Sequence, residues 1–86
     1  MRELSIMLKL LNKNNQDVNL GLFHPINNGV VLEEQKRNFI VYDVNEGIHS
    51  NRIICHNIKD ACINILKRID DSLIDNFLEL CKVFKD

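Results

Sequence analysis

The seven residues Asn38-Phe39-Ile40-Val41-Tyr42-Asp43-Val44 constrain this chain more than any others. Five of them are aromatic or β-branched, a density that suits a pleated strand and no other element. Phe39 and Val41 fall on one face and Ile40, Tyr42 and Val44 on the other, so the strand is apolar on both sides and belongs at the centre of a sheet. Asn45-Glu46-Gly47 supplies turn chemistry, and Ser50 to His56 reads as the returning strand. Asn57, with Asp60 three residues later, marks the N-terminus of a helix that Ala61 continues. Strand, turn, strand and helix entry thus follow one another from Asn38 to Ala61 without a gap.

The flanking segments are read from their periodicity. Leu4, Met7, Leu8 and Leu11 recur at helical spacing and predict a helix over Arg2 to Asn12. Ile6 and Leu10 lie off that stripe, which is explained if other elements wrap the helix or if it enters an interface. The Asn-rich run Asn12 to Asp17 ends it. Val18, Leu20 and Leu22 alternate with Asn19 and Gly21 as a half-buried strand that stops at His24-Pro25. Asn27-Asn28-Gly29 signals a reversal, Val30-Val31-Leu32 opens the next strand, and Glu33 to Arg37 is a charged run at its solvated end. Toward the C-terminus, Ile58, Ala61, Cys62, Ile65 and Ile69 form one helical stripe, with Asp60, Asn64, Lys67 and Arg68 toward solvent. Asp70-Asp71-Ser72 offers caps for a further helix, in which Leu73 or Ile74, Phe77, Leu78, Cys81 and Phe84 oppose Asp75, Glu79, Lys82 and Asp86. The expected fold class is α+β: an N-terminal helix, a three- to four-stranded antiparallel meander and two C-terminal helices, in a single domain of residues 1–86.

Eighty-six residues leave room for one small core and little for a deep pocket. With a net charge of −1 and acids and bases mixed through both halves, the chain carries no domain-wide field to hold a polyanion or an anionic membrane. Direct nucleic-acid binding and membrane association are therefore not expected. Cys55, Cys62 and Cys81 have no paired-ligand spacing, so neither a disulfide framework nor a zinc site is indicated, and reduced thiols fit a cytoplasmic protein. Lys9 breaks the apolar run Leu4 to Leu11, and no small-residue cleavage site follows it, so no secretion signal is expected.

Nothing announces catalysis. Cys55 and His56 are adjacent in a strand and point to opposite faces, so they cannot act together as nucleophile and base. A metal site from His49, Cys55 and His56 lacks the usual spacing and a fourth ligand. Gly21, Gly29 and Gly47 are isolated, which removes a phosphate-binding loop. No cofactor is expected and the chain does not read as an enzyme. A double-stranded RNA-binding domain shares the helix and meander, but its second helix needs a lysine cluster where this chain has Lys59, Asp60 and Cys62. Glu33, Glu34, Asp43 and Glu46, taken with Tyr42, are better candidates for binding a protein, with tyrosine as anchor and carboxylates steering a basic partner.

The run Phe39-Ile40-Val41-Tyr42, then Glu46-Gly47, a return strand, and Asp60-Ala61 leading into Ile65-Leu66-Lys67-Arg68-Ile69 resembles the central segment of small immunity proteins of bacterial toxin–immunity systems, including contact-dependent growth inhibition. The resemblance covers Lys36 to Ile69; Phe39 stands where such patterns often carry Trp. It implies a cytoplasmic single-domain inhibitor that binds a cognate toxin domain, often a basic nuclease, through Glu33, Glu34, Tyr42, Asp43 and Glu46. The competing expectation is a small non-catalytic adaptor or regulatory module, homodimeric through the first helix or an exposed edge strand.

Overall fold

The computed structural model describes residues 1–14 and 18–84. Asn15, Gln16 and Asp17 of the polar run, and Asp86 of the last stripe, lie outside them. The chain runs α1 (Arg2–Lys13), β1 (Leu20–Leu22), β2 (Gly29–Gln35), β3 (Asn38–Asn45), β4 (Ile48–Cys55), α2 (Ile58–Ile69), a 3-10 turn (Asp71–Leu73) and α3 (Ile74–Val83). The strands lie side by side in chain order, so β3 is interior and β4 forms one edge. Both expectations for the Asn38 block hold: a central strand, then a return strand leading into a helix.

Both hairpins close through two-residue turns with left-handed backbone. Gln35 pairs with Asn38 around Lys36 (φ 50°) and Arg37 (φ 73°), and Asn45 pairs with Ile48 around Glu46 (φ 51°) and Gly47 (φ 79°). Positive φ at both central positions gives the primed turn whose twist matches the flanking strands. The charged run Glu33 to Arg37 is therefore mostly strand, and its turn is only Lys36-Arg37.

One strand departs from the antiparallel meander. β1 pairs with β2 in parallel, Leu20 opposite Val30 and Leu22 opposite Leu32, through only six intervening residues, 23–28, against the dozen or so of an ordinary crossover. Two reversals replace the expected one. The first starts at Phe23, whose φ is 65°, and the second is the expected Asn27-Asn28-Gly29, so together they restore the original direction. The connection doubles back over the sheet at Gly21, where an added Cβ would lie 2.6 Å from the His24 carbonyl oxygen and 3.2 Å from Ile26. Gly29 (φ 135°) is equally committed, since a Cβ there would meet Ile26 and the backbone of Asn19.

The helices pack on one sheet face. Met7, Leu32, Val41, Cys62, Ile65, Leu66 and Phe77 are fully buried in the shared core, and Phe39 packs against its margin. Among the described residues the other face has no helix. Its buried residues Val31, Ile40, Tyr42 and Val44 form a separate cluster with Ile26 of the doubled-back connection. Alternation along β3 explains the division, because odd-numbered side chains enter the helix layer and even-numbered ones the opposite face.

α2 starts where the sequence indicates: the Asn57 side chain accepts from the Asp60 amide at 2.8 Å. It ends at Asp70, whose carboxylate caps the following 3-10 turn by accepting from the Ser72 amide and hydroxyl. α1 requires a correction. Ile6, Met7, Leu10 and Leu11 are its buried residues, whereas Leu8 is exposed. The helix packs against both α2 and α3, which rotates its buried arc toward Ile6 and Leu10 and accounts for both within the fold. Phe84 also leaves the expected stripe, because it lies past the last turn of α3, where its carbonyl accepts from the Arg2 guanidinium at 2.8 Å.

Candidate partner-binding surface

The helix-free face carries the two expected binding residues that the fold brings together. Tyr42 sits mid-strand on β3 with its ring buried, and its hydroxyl donates to Glu33 Oε1 on β2 at 2.7 Å. His49 of β4 stacks on the same ring, with centroids 4.3 Å apart and planes inclined by 28°. Burial, then the hydrogen bond to Glu33 and that carboxylate's charge, push the Tyr42 phenol up from 10.0 to about 12. Tyr42 therefore stays neutral and donates through the ordinary pH range. Its hydroxyl is occupied and its ring covered, so it orients Glu33 rather than standing out as a free anchor.

Asp43 points the other way. Its carboxylate accepts from Arg68 of α2 at 3.0 Å and from Asn51 at 2.8 Å, while the same guanidinium donates to the Asn51 carbonyl at 2.6 Å. Burial alone would raise the Asp43 pKa. The hydrogen bonds from Asn51 and Arg68, with the Arg68 charge, outweigh it and hold the carboxyl below its usual 3.8. This cluster fixes an irregularity in β4. Register shifts between Val41 and Asp43, and Asn51 takes a φ of 53°, so Arg68 stitches a bulge to the helix layer. Arg68, expected to face solvent, instead reaches over the sheet, and Asn64 on the same flank donates to the Cys55 thiol at 3.5 Å. α2 lies over β3 and touches both β2 and β4, and its polar flank meets the edge strand.

Glu46 occupies the turn between β3 and β4 and is exposed. Its amide donates to Asn28 Oδ1 at 2.9 Å and the Gly47 amide to the Asn27 carbonyl at 3.0 Å, which ties this turn to the doubled-back connection. Glu33 pairs with Ile40 and Val44 with Gly29, so Glu33 and Glu46 stand toward opposite ends of the hairpin. Glu34 is exposed beside Glu33, and together with the exposed Phe23 these two carboxylates line a shallow depression.

Register across the sheet extends this surface. Glu33, Ile40 and Ile54 stand in one rung of β2, β3 and β4, which places Ile54 roughly 10 Å from Glu33 at about 4.8 Å per strand. Ile54 is 51% exposed, and seven of the eight residues of β4 are exposed, Ile48 most of the isoleucines at 71%. The helix-free surface thus holds the Glu33 carboxylate on the rung of exposed Ile54, while Glu34, paired with Phe39, alternates toward the helix side and joins Glu33 and Phe23 only in the depression at the strand edge. Sequence reasoning missed Phe23, His49 and Ile54. Their signal was faint: an aromatic before His24-Pro25, and a pair of isoleucines in a strand with no element beyond it to cover them.

The three free thiols are all buried. Burial pushes all three upward: Cys55 with the help of the Asp60 carboxylate, Cys62 to about 12, and Cys81 with the help of Glu3. Cys55 lies in the helix-side core, His56 contacts Asn38 Oδ1 at 3.2 Å, and His49 stacks on Tyr42, so these three side chains go to three different places. Among the described residues no cluster of His, Cys, Asp and Glu converges as metal ligands would, and no helix is long and apolar enough to cross a membrane. No protein-family model, curated protein or solved structure matches this chain.

Proposed function

We propose that this protein is a non-catalytic inhibitor that captures a basic partner protein on its helix-free sheet face and the adjoining edge depression of Phe23, Glu33 and Glu34, and that the partner is the cognate toxin domain of a bacterial toxin–immunity pair. The observation that carries the reading is the pairing of Glu33 and Glu34 with exposed Phe23 in one depression, with Ile54 on the rung that begins at Glu33. Apolar anchors flanked by carboxylates suit a partner that presents a cation beside an apolar side chain. The Tyr42 hydroxyl fixes one of those carboxylates before binding, which lowers the ordering cost of association. Strand addition extends the surface along Arg52 to Cys55, since Arg68 already occupies the carbonyl of Asn51 at the bulge. The toxin identity comes from the resemblance over Lys36 to Ile69; the binding role comes from the surface.

The test is co-expression with the product of the adjacent gene, read by growth protection and by co-purification. Glu34→Lys with Ile54→Lys, both at exposed positions, is expected to abolish capture and protection while leaving the urea midpoint of the free protein unchanged. An adjacent gene whose product neither harms cells nor binds this protein sinks the toxin reading, and full binding by the double variant sinks the surface.

A further inference from the structure

On the opposite side of the molecule, away from the helix-free face, α1 and α3 pack antiparallel at their ends, with Arg2 bonded to the carbonyl of Phe84, and leave a groove between them. Its floor and lips are apolar: Ile6 and Leu10 from α1, with Leu80, Val83 and Phe84 from α3. Val83 and Phe84 are 70% and 57% exposed, although the side chains beneath them belong to the core. The volume is about 570 Å³, and α1 supplies 12 residues along one wall, roughly 18 Å at 1.5 Å per residue.

Charge decides what fits. Arg2, Lys9 and Lys13 line the α1 wall at spacings of seven and four residues, a single helical stripe. Among the described residues the one acid lining the groove is Glu79, which already faces Lys82 at 3.6 Å. Arg2 is already paired with Glu3 at 3.5 Å, so a second copy would bring Lys9 and Lys13 against the same two lysines, and self-association through this groove is opposed by its own rim. A flat lipid surface cannot reach the recessed Ile6 and Leu10. A helix with an apolar stripe and acidic flanks satisfies floor and rim together.

We propose that the α1–α3 groove is a docking site for an acidic amphipathic helix of about three turns, carried by a partner protein. The site is separate from the helix-free face and does not depend on the toxin reading. The probe is a fluorescein-labelled helical peptide of the length of α1, with leucines on one stripe and glutamates on both flanks. A companion peptide carries lysines in place of the glutamates. Fluorescence anisotropy is expected to show saturable binding of the glutamate peptide and none of the lysine peptide. Lys9→Glu with Lys13→Glu, both exposed, should weaken the first by about tenfold or more and create binding of the second, because two attractions become two repulsions. Val83→Asp, also at an exposed position, should abolish glutamate-peptide binding without altering the circular dichroism. Equal binding of both peptides, or of neither, overturns the proposal. So does a concentration-dependent dimer in sedimentation velocity that Val83→Asp dissolves, or binding to vesicles of phosphatidylcholine and phosphatidylserine in preference to the peptide.

Discussion

β3 and β4 are each eight residues long, hydrogen-bonded to one another and rich in isoleucine, valine and aromatic or histidine rings, yet one is the most enclosed strand and the other almost wholly exposed. The rung that joins them shows the contrast at single-residue scale: Ile40 is 4% exposed and its direct partner Ile54 is 51% exposed. The difference is positional. Ile40 sits between β2 and β4 in the cluster with Val31, Tyr42 and Val44, whereas β4 ends the sheet and is joined to the helix layer through Cys55, Arg68 and Asn64. Apolar character alone therefore does not identify core, and where it sits on an unshielded edge it marks a surface available to a partner.

The contrast is broken most forcefully at that rung. Ile40→Ala is expected to destabilise the protein by about 2 to 5 kcal/mol, a large part of the roughly 4 to 13 kcal/mol available to a domain of this size, and urea unfolding measures it. Next in size is Arg68→Ala, which releases Asp43 and the bulged edge together. A loss of about 1 to 2 kcal/mol is expected, held down because the pair is partly solvated, and faster amide exchange should be confined mainly to β4. The same pair governs acid behaviour. Because Asp43 titrates below 3.8 when folded, its contribution is complete above that value and is lost as pH falls through the depressed folded pKa. Acid titration of Arg68→Ala should show a shallower decline than the parent below about pH 4.

Tyr42→Phe tests the face between the two strands and should cost about 1 kcal/mol at neutral pH. Tyr42 is the only tyrosine and tryptophan is absent, so phenolate absorbance reports this one group. Its folded pKa is raised, so its stabilisation is full below pH 10 and fades as pH climbs toward about 12. Tyr42→Phe should remove that alkaline loss, and a parent titration centred on 10.0 in the folded protein would discredit the buried hydrogen bond. The smallest effect on folding is expected at Ile54→Ala, within about 0.5 kcal/mol, although the same change should weaken partner capture. A stability loss comparable to that of Ile40→Ala would show that β4 is not an open edge.

Much of this architecture was readable in the chain. Asn57 and Asp60 located the start of α2, alternation divided β3 into its two faces, and Asn45-Glu46-Gly47 placed the second hairpin. Each depends on interactions among residues close in sequence. The parallel pairing of β1 was not readable, because one reversal at Asn27-Asn28-Gly29 and two reversals across 23–28 present nearly the same turn-rich composition. Alternation along β3 already parts Tyr42 from Asp43, but the partner that each side chain finds was not readable. Tyr42 and Glu33 meet because their strands are in register, and Asp43 turns to Arg68, 25 residues away, because α2 crosses the sheet.

By itself, then, the sequence determined the elements, their order from β2 onward, and the two-faced central strand, since local sterics, capping and alternation suffice for these. Only the tertiary structure decided that β1 runs parallel, that α1 turns Ile6 and Leu10 inward, and that Asn51 bulges under Arg68. It also decided which carboxylates remain available to a partner. Those outcomes rest on contacts between segments far apart in the chain, where the space left by one element fixes what its neighbour can bury.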